Sequence, residues 1–215
     1  DRLHMRIPQN QIELLQAIVQ VNENVVGLLS AGAAIEMPWH YCCKAILHGY
    51  LSGQAGASAM MNLITGKVNP SGRLSETYPF RYEDTPAFRN FPSTERNAEY
   101  RESIYIGYRY YDTKEMPVRY PFGYGLSYTT FEYSDLQLSA EEIKDTDTLT
   151  VSLKVKNTGN MAGKEIVQLY VADKTGAASR PVKELKNFVK VELQPGEEKT
   201  VQMQLDKRSF AWYCT

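Results

Sequence analysis

The sequence predicts an α/β layer followed by an antiparallel β-sandwich. Three observations carry that prediction: an amphipathic helix that runs straight into an apolar strand, further helix-like runs closed by a glycine, and a change to strict alternation from about Phe131. In Pro8 to Asn22, PQNQIELLQAIVQVN, the residues Ile12, Leu14, Leu15, Ile18, Val19 and Val21 fall mostly at three- and four-residue steps, which marks one apolar helix face. NVVGLLSAG follows, a continuous apolar run ended by Gly32, and it predicts a strand buried on both faces of a parallel sheet. CCKAILHGYL and QAGASAMMNLITG both have helical composition, the second stopped by Gly66. NPSGRLSETYP then reads as a turn cluster leading into a short extended piece.

Beyond about residue 130, LTVSLKV (Leu149 to Val155), much of EIVQLYV (Glu165 to Val171) and TVQMQL (Thr200 to Leu205) alternate apolar and polar residues. Turn signals separate them at Asn157 to Gly159, Ala172 to Pro181 and Gln194 to Gly196. Short alternating strands at this spacing predict a sandwich. Phe80 to Arg101 is polar, carries prolines and has no period, so it reads as a functional loop or an interdomain wrap. The aromatic stretch YRYYDTKEMPVRYPFGYGLSYTTFEY, Tyr108 to Tyr133, straddles the change of period and reads as a seam between two domains or as a ligand face.

Composition excludes several function classes. Lys plus Arg number 24 against 25 for Asp plus Glu, and a net charge of −1 offers no field to gather phosphates, nucleic acid or an anionic membrane. No apolar run approaches the roughly 20 residues that span a bilayer, and the first residues lack the order of a signal peptide. The chain reads as soluble and cytoplasmic. Three cysteines, two adjacent at Cys42 and Cys43, make neither a paired framework nor a zinc pattern and read as reduced thiols.

A search for chemistry finds no local motif that proves catalysis. His4, His40 and His48 have no companions at metal-ligand spacing, so neither a metal site nor a cofactor is expected. The glycine-rich GQAGASAMMNLITG lacks the Lys-Ser/Thr end of a phosphate loop, and close helix packing accounts for it better. AGAAIEMPWH emerges at the end of the first strand, where open α/β sheets place ligands, so Glu36 and Trp39 are candidate substrate contacts. The competing reading has Trp39 plugging the sheet edge while Glu36 caps or pairs. Glu99 and Glu102 read as surface partners of Arg101 or Arg109.

The order of DRLHMRIPQNQ, AAIEMPW, KAILHGYLSGQAGASAMMNLITGKVNPSGRLSETYP, YRESIYIGYRYYD, RYPFGYGLSYTTFEY and RPVKELKNFVKVELQPGEEKTV resembles the C-terminal half of glycoside hydrolase family 3, the β-glucosidase family. NPSGRL and PFGYGLSYTTFEY in succession are the specific signals. Ala33-Ala34 stands where the family often has Ser-Pro, and Ser103 where it usually has Gly.

The resemblance implies a retaining β-glucosidase that removes terminal non-reducing β-D-glucosyl residues from β-glucosides or short gluco-oligosaccharides, built from a barrel, an α/β sandwich and a fibronectin type III-like domain. On that basis residues 1–80 are the C-terminal part of the α/β sandwich domain. Residues 81–130 form an interdomain wrap and aromatic linker, and 131–215 form an immunoglobulin/fibronectin III-like sandwich lacking its last strands. Asp1 and Arg2, with Ile7, Pro8 and Gln11, match the family's sequence just after the acid/base loop. The nucleophilic Asp of the barrel and the acid/base Glu are therefore expected outside this chain, which would be inactive alone. Asp1, Arg2, Glu36 and Trp39 are the expected substrate-adjacent residues. Tyr108, Tyr110, Tyr111, Phe122, Gly123, Gly125 and Tyr128 are the expected interdomain structural set. Unpaired edge strands would favour a weak homodimer. The alternative function is a non-catalytic carbohydrate-binding or protein-interaction module.

Overall fold

The computed structural model describes residues 3–93 and 96–213. These residues divide into two compact units with an unusual partition of the chain. One contains the residues up to Thr65 and then Leu74–Tyr124; the other contains Gly66–Arg73 and the residues from Gly125 on.

The first unit is the α/β piece. Helix α1 spans Gln9–Val21 and leads into strand β1, Val26–Leu29. Strand β2, Ala45–His48, pairs parallel to β1 with Val26 opposite Ala45 and Leu29 opposite His48. Helix α2 spans Gly56–Ile64, and Gly66 takes the left-handed backbone (φ +71°) that ends such helices. The run CCKAILHGYL is thus not a helix. Cys42 closes a single 3-10 turn from His40, and Ala45 to His48 form the strand. The parallel ladder with β1 outweighs the helical composition of the run.

Strand β1 is also not buried on both faces. Leu29 packs against the core while Val26 and Leu28 face out, because the parallel sheet has only two strands among the described residues. The core of this unit gathers Ala34, Ile35, Met37, Trp39 and Tyr78, with Ile12 and Leu15 of α1 packed against it. A short helix, α3, covers Tyr108–Thr113.

The second unit is the sandwich. Strands β3 (Phe131–Leu138), β4 (Leu149–Asn157) and β7 (Glu198–Leu205) form one antiparallel sheet in the order β3-β4-β7. Strands β5 (Gly163–Val171) and β6 (Glu184–Leu193) form the other. Period-2 alternation turns Leu153, Val155, Val201, Met203, Val167 and Leu193 toward one another as the core. The edge strand β3 is broken by a bulge between Ser134 and Gln137, where Asp135 has φ +53°, and such irregularity protects an edge from pairing. A last turn of helix, α4, Lys207–Phe210, follows β7 and is capped by the Asp206 carboxylate. No helix among the described residues is long and apolar enough to cross a membrane.

Candidate functional site

Loop 30–44 carries two candidate residues of the first unit, Glu36 and Trp39. Trp39 is only 4% exposed and lies in the core, its indole Nε1 buried without a hydrogen-bond partner. Glu36 is held at both ends: its N–H donates to the Met5 carbonyl at 2.8 Å, and its Oε1 accepts the Tyr82 N–H at 2.9 Å. A second carboxylate, Glu76, accepts the Ala34 N–H at 2.9 Å. Both acidic groups therefore tie loops together. Asp1 and Arg2 lie outside the described residues.

The histidines are similarly engaged. His4 Nδ1 accepts the Arg6 N–H, and His40 Nε2 lies 3.0 Å from Arg119 Nη1, whose guanidinium also covers the Phe80 ring. His48 sits 3.0 Å from the Tyr78 hydroxyl through Nε2 and against the Tyr50 ring, 3.8 Å between centroids. Burial pushes its pKa below the ordinary imidazole value. No group of three metal-ligating side chains occurs among the described residues. Glu99 pairs with Arg101 on the surface, whereas Glu102 Oε2 is buried without a hydrogen-bond partner.

The aromatic stretch divides between the units. Tyr108 stacks on Phe122 with centroids 4.8 Å apart, Tyr110 meets Tyr111 edge-on, and Tyr120 stacks on Tyr124, all within the first unit. Tyr111 is buried, which raises its hydroxyl pKa. Gly123 has φ +80°, a conformation that favours glycine, and donates to the Leu74 carbonyl at 2.8 Å. Gly125 and Tyr128 belong to the second unit, and the Tyr128 ring is half-exposed.

The most developed polar constellation was not read from the sequence. It is built by Gly66–Arg73, the strap that leaves the α/β piece and joins the sandwich. Asn69 Nδ2 donates to the Ala162 carbonyl at 3.0 Å, while its Oδ1 accepts Ser127 Oγ at 3.0 Å and the Tyr128 N–H at 2.8 Å. Ser71 Oγ accepts the Lys164 N–H at 3.1 Å. The Arg73 guanidinium pairs with the buried Glu165 carboxylate, whose second oxygen accepts the Tyr133 hydroxyl at 2.8 Å. Burial, reinforced by that bond, raises the Tyr133 pKa.

Next to the strap, Asn157 is fully buried at the end of β4. Its Oδ1 accepts Thr129 Oγ1 at 2.6 Å and the Gly159 N–H at 3.1 Å. Its Nδ2 donates to the Met161 and Leu193 carbonyls at 2.8 and 3.1 Å. A Cβ on Gly125 would lie 2.6 Å from the Gly72 carbonyl, and one on Gly163 would lie 2.8 Å from Asn69 Nδ2, so both positions exclude larger residues. The NPSGRL motif thus uses its polar groups inside the sandwich. Pairing a turn motif with a carboxylate far along the chain needs the fold, although Asn-Pro-Ser-Gly was visible as a turn signal.

The comparisons with known proteins agree with this geometry. Residues 1–128 match the model of the glycosyl hydrolase family 3 C-terminal domain, and residues 165–215 match that of the fibronectin type III-like domain. The chain is 51% identical over its whole length to thermostable beta-glucosidase B of Acetivibrio thermocellus, of which it covers 28%. It is 43% identical over 99% of its length to beta-glucosidase BoGH3A of Bacteroides ovatus, covering 29% of that protein. The crystal structure of the GH3 beta-glucosidase of Bifidobacterium adolescentis superposes on the whole chain with a TM-score of 0.95 at 41% identity, and the chain covers 32% of it. The chain therefore spans less than a third of the length of these relatives. It belongs to glycosyl hydrolase family 3, as an α/β piece followed by a fibronectin type III-like sandwich.

Proposed function

We propose that the chain is the C-terminal part of a retaining β-glucosidase that hydrolyses terminal non-reducing β-D-glucosyl residues, and that it serves as scaffold and pocket border without activity of its own. The observation that carries this reading is how three acidic groups in and beside the family's motifs, Glu36, Glu76 and Glu165, are used. Glu165 is committed to Arg73 and Tyr133, Glu36 to the Tyr82 N–H and Glu76 to the Ala34 N–H. A retaining glycosidase needs one carboxyl group free to attack and another free to give and take a proton, about 5–5.5 Å apart. Carboxylates already holding backbone and guanidinium partners are suited to support.

On this reading the nucleophile and the acid/base belong to polypeptide beyond these 215 residues. In sequence, Asp1 and Arg2 come just after the acid/base loop on this reading, and Glu36 and Trp39 shape the pocket border through the loop they hold. Cys42 and Cys43 are free thiols, which suits a reducing, cytoplasmic setting.

An aryl β-glucoside assayed with this chain, and with a version extended through an N-terminal barrel, tests the proposal. Turnover is expected from the extended protein alone, and activity of the 215-residue chain would overturn it. The half-exposed ring of Tyr128 favours a second reading, a carbohydrate-binding module, in which its face stacks on a sugar. Saturable binding of gluco-oligosaccharides to the chain, lost in Tyr128→Ala, would support that alternative.

A further inference from the structure

The strap and the cleft that receives it come from separate parts of the chain. Gly66–Arg73 is joined at both ends to the first unit, and the whole of Leu74–Tyr124 intervenes before the sandwich resumes at Gly125. The cleft walls are supplied by Gly125, Ser127, Ala162, Gly163, Lys164 and Glu165. They read the strap as a peptide is read. The amide of Asn69 meets a carbonyl, a hydroxyl and an N–H; the hydroxyl of Ser71 meets the Lys164 N–H; Arg73 meets a carboxylate.

We infer that this cleft is a recognition site for an Asn-Pro-Ser-Gly-Arg segment, and that the strap of a second copy of the chain fills it when the copy's own strap is withdrawn. The inference goes beyond the hydrolase reading and holds whatever the parent protein hydrolyses. Exchange of an identical segment re-forms the strap's own contacts with the cleft, so the free-energy difference between closed and exchanged forms is set by effective concentration and by the hinge beside Leu74 and Tyr124. Selectivity rests on charge and on space. Glu165 without a cation would be a buried, unpaired carboxylate, and a Cβ on Gly125 would come within 2.6 Å of the Gly72 carbonyl, so the cleft admits the strap backbone because Gly125 has no side chain.

Two whole-chain variants with opposite charge test the exchange. In Arg73→Glu and in Glu165→Arg the strap and cleft of the same copy repel, whereas the strap of the first variant matches the cleft of the second. Light scattering should give the single-chain mass for each alone and twice that mass for their mixture. The chain carrying both substitutions should remain single, with an unchanged melt that shows the reversed pair to be tolerated. A mixture that stays at single-chain mass while the doubly substituted chain is folded overturns the inference.

A labelled peptide of residues 66–73 supplies an arm that does not depend on charge reversal. It should bind the Asn69→Ala chain, whose own strap is weakened, at least tenfold more tightly than it binds the Asn69→Ala/Glu165→Gln chain. Equal or undetectable binding to both overturns the inference as well.

Discussion

The two units differ in where their apolar groups end up. In the sandwich, Val155 and Leu193 are fully buried, and Val151, Leu153, Val201, Met203 and Leu205 are nearly so. In the α/β piece, Leu14 is 60% and Val21 86% exposed on α1, while Val26 and Leu28 of β1 are each about half exposed. A parallel strand pair is a structure that ordinarily has cover on both faces, whereas antiparallel sheets tolerate one wet face. The difference teaches that the sandwich holds its own core, closed with polar bonds from the strap, while the α/β piece holds a core on one side only.

The largest effect that sharpens this contrast is expected at Asn157. Replacement by Ala strands the Met161 and Leu193 carbonyls, the Gly159 N–H and the Thr129 hydroxyl inside the sandwich. Four groups losing partners at once should cost about 4 kcal/mol, toward the upper end for a single substitution. Urea unfolding of Asn157→Ala, in a Trp212→Phe background so that Trp39 fluorescence reports the first unit, should show the β-sheet circular dichroism lost early and the Trp39 transition unmoved. A Trp39 midpoint that falls in parallel would break the contrast, because the two units would then unfold as one.

A smaller effect, of opposite sign, is expected in the first unit. Ser103 has φ +52°, where an L-residue is strained and glycine is not. Relief of that strain, partly offset by the greater freedom of glycine in the unfolded chain, should leave Ser103→Gly more stable by about 0.5 kcal/mol. A raised Trp39 urea midpoint checks it; a lowered one would mean that the Ser side chain contributes more than its backbone costs.

How far the sequence alone reached follows from these same residues. Helix α1, helix α2 with its glycine stop, and strands β4, β5 and β7 were legible because each carries one period through its length. Strand β3 was not, since the bulge at Ser134 to Gln137 breaks its alternation and all but Phe131 is exposed. Strand β6 was passed over although Val189, Val191 and Leu193 alternate inward, because Glu184, Lys186 and Asn187 crowd its first half. Strand β2 read as a helix because its neighbour β1, and not its composition, decides its state. Ser103 was visible as a departure where a family glycine is usual, and the left-handed backbone gives that departure its meaning. The strap was the hardest to see. Asn69, Arg73 and Glu165 look like a turn and two surface charges until the fold brings them together.

The pH dependence of the two units should differ as well, through His48. Its ring lies between Tyr78, Tyr50 and the Leu29 carbonyl, and burial lowers its pKa, with the Leu29 carbonyl and the Glu76 charge acting in the other direction. A histidine whose folded pKa is below the unfolded value near 6.5 favours the neutral ring in the native state. Its contribution is therefore complete above the unfolded pKa and declines as pH falls from there through the lower folded value. The Trp39 transition of the wild-type chain should accordingly move to lower urea between pH 7.5 and pH 5.5. His48→Gln, which keeps a polar group near Tyr78 but cannot titrate, should flatten that dependence while leaving the acid response of the sandwich signal as it was. If His48→Gln retains the full wild-type slope, the proton is being taken up elsewhere in the first unit, and the His48–Tyr78 pair does not carry that unit's pH dependence between pH 7.5 and pH 5.5.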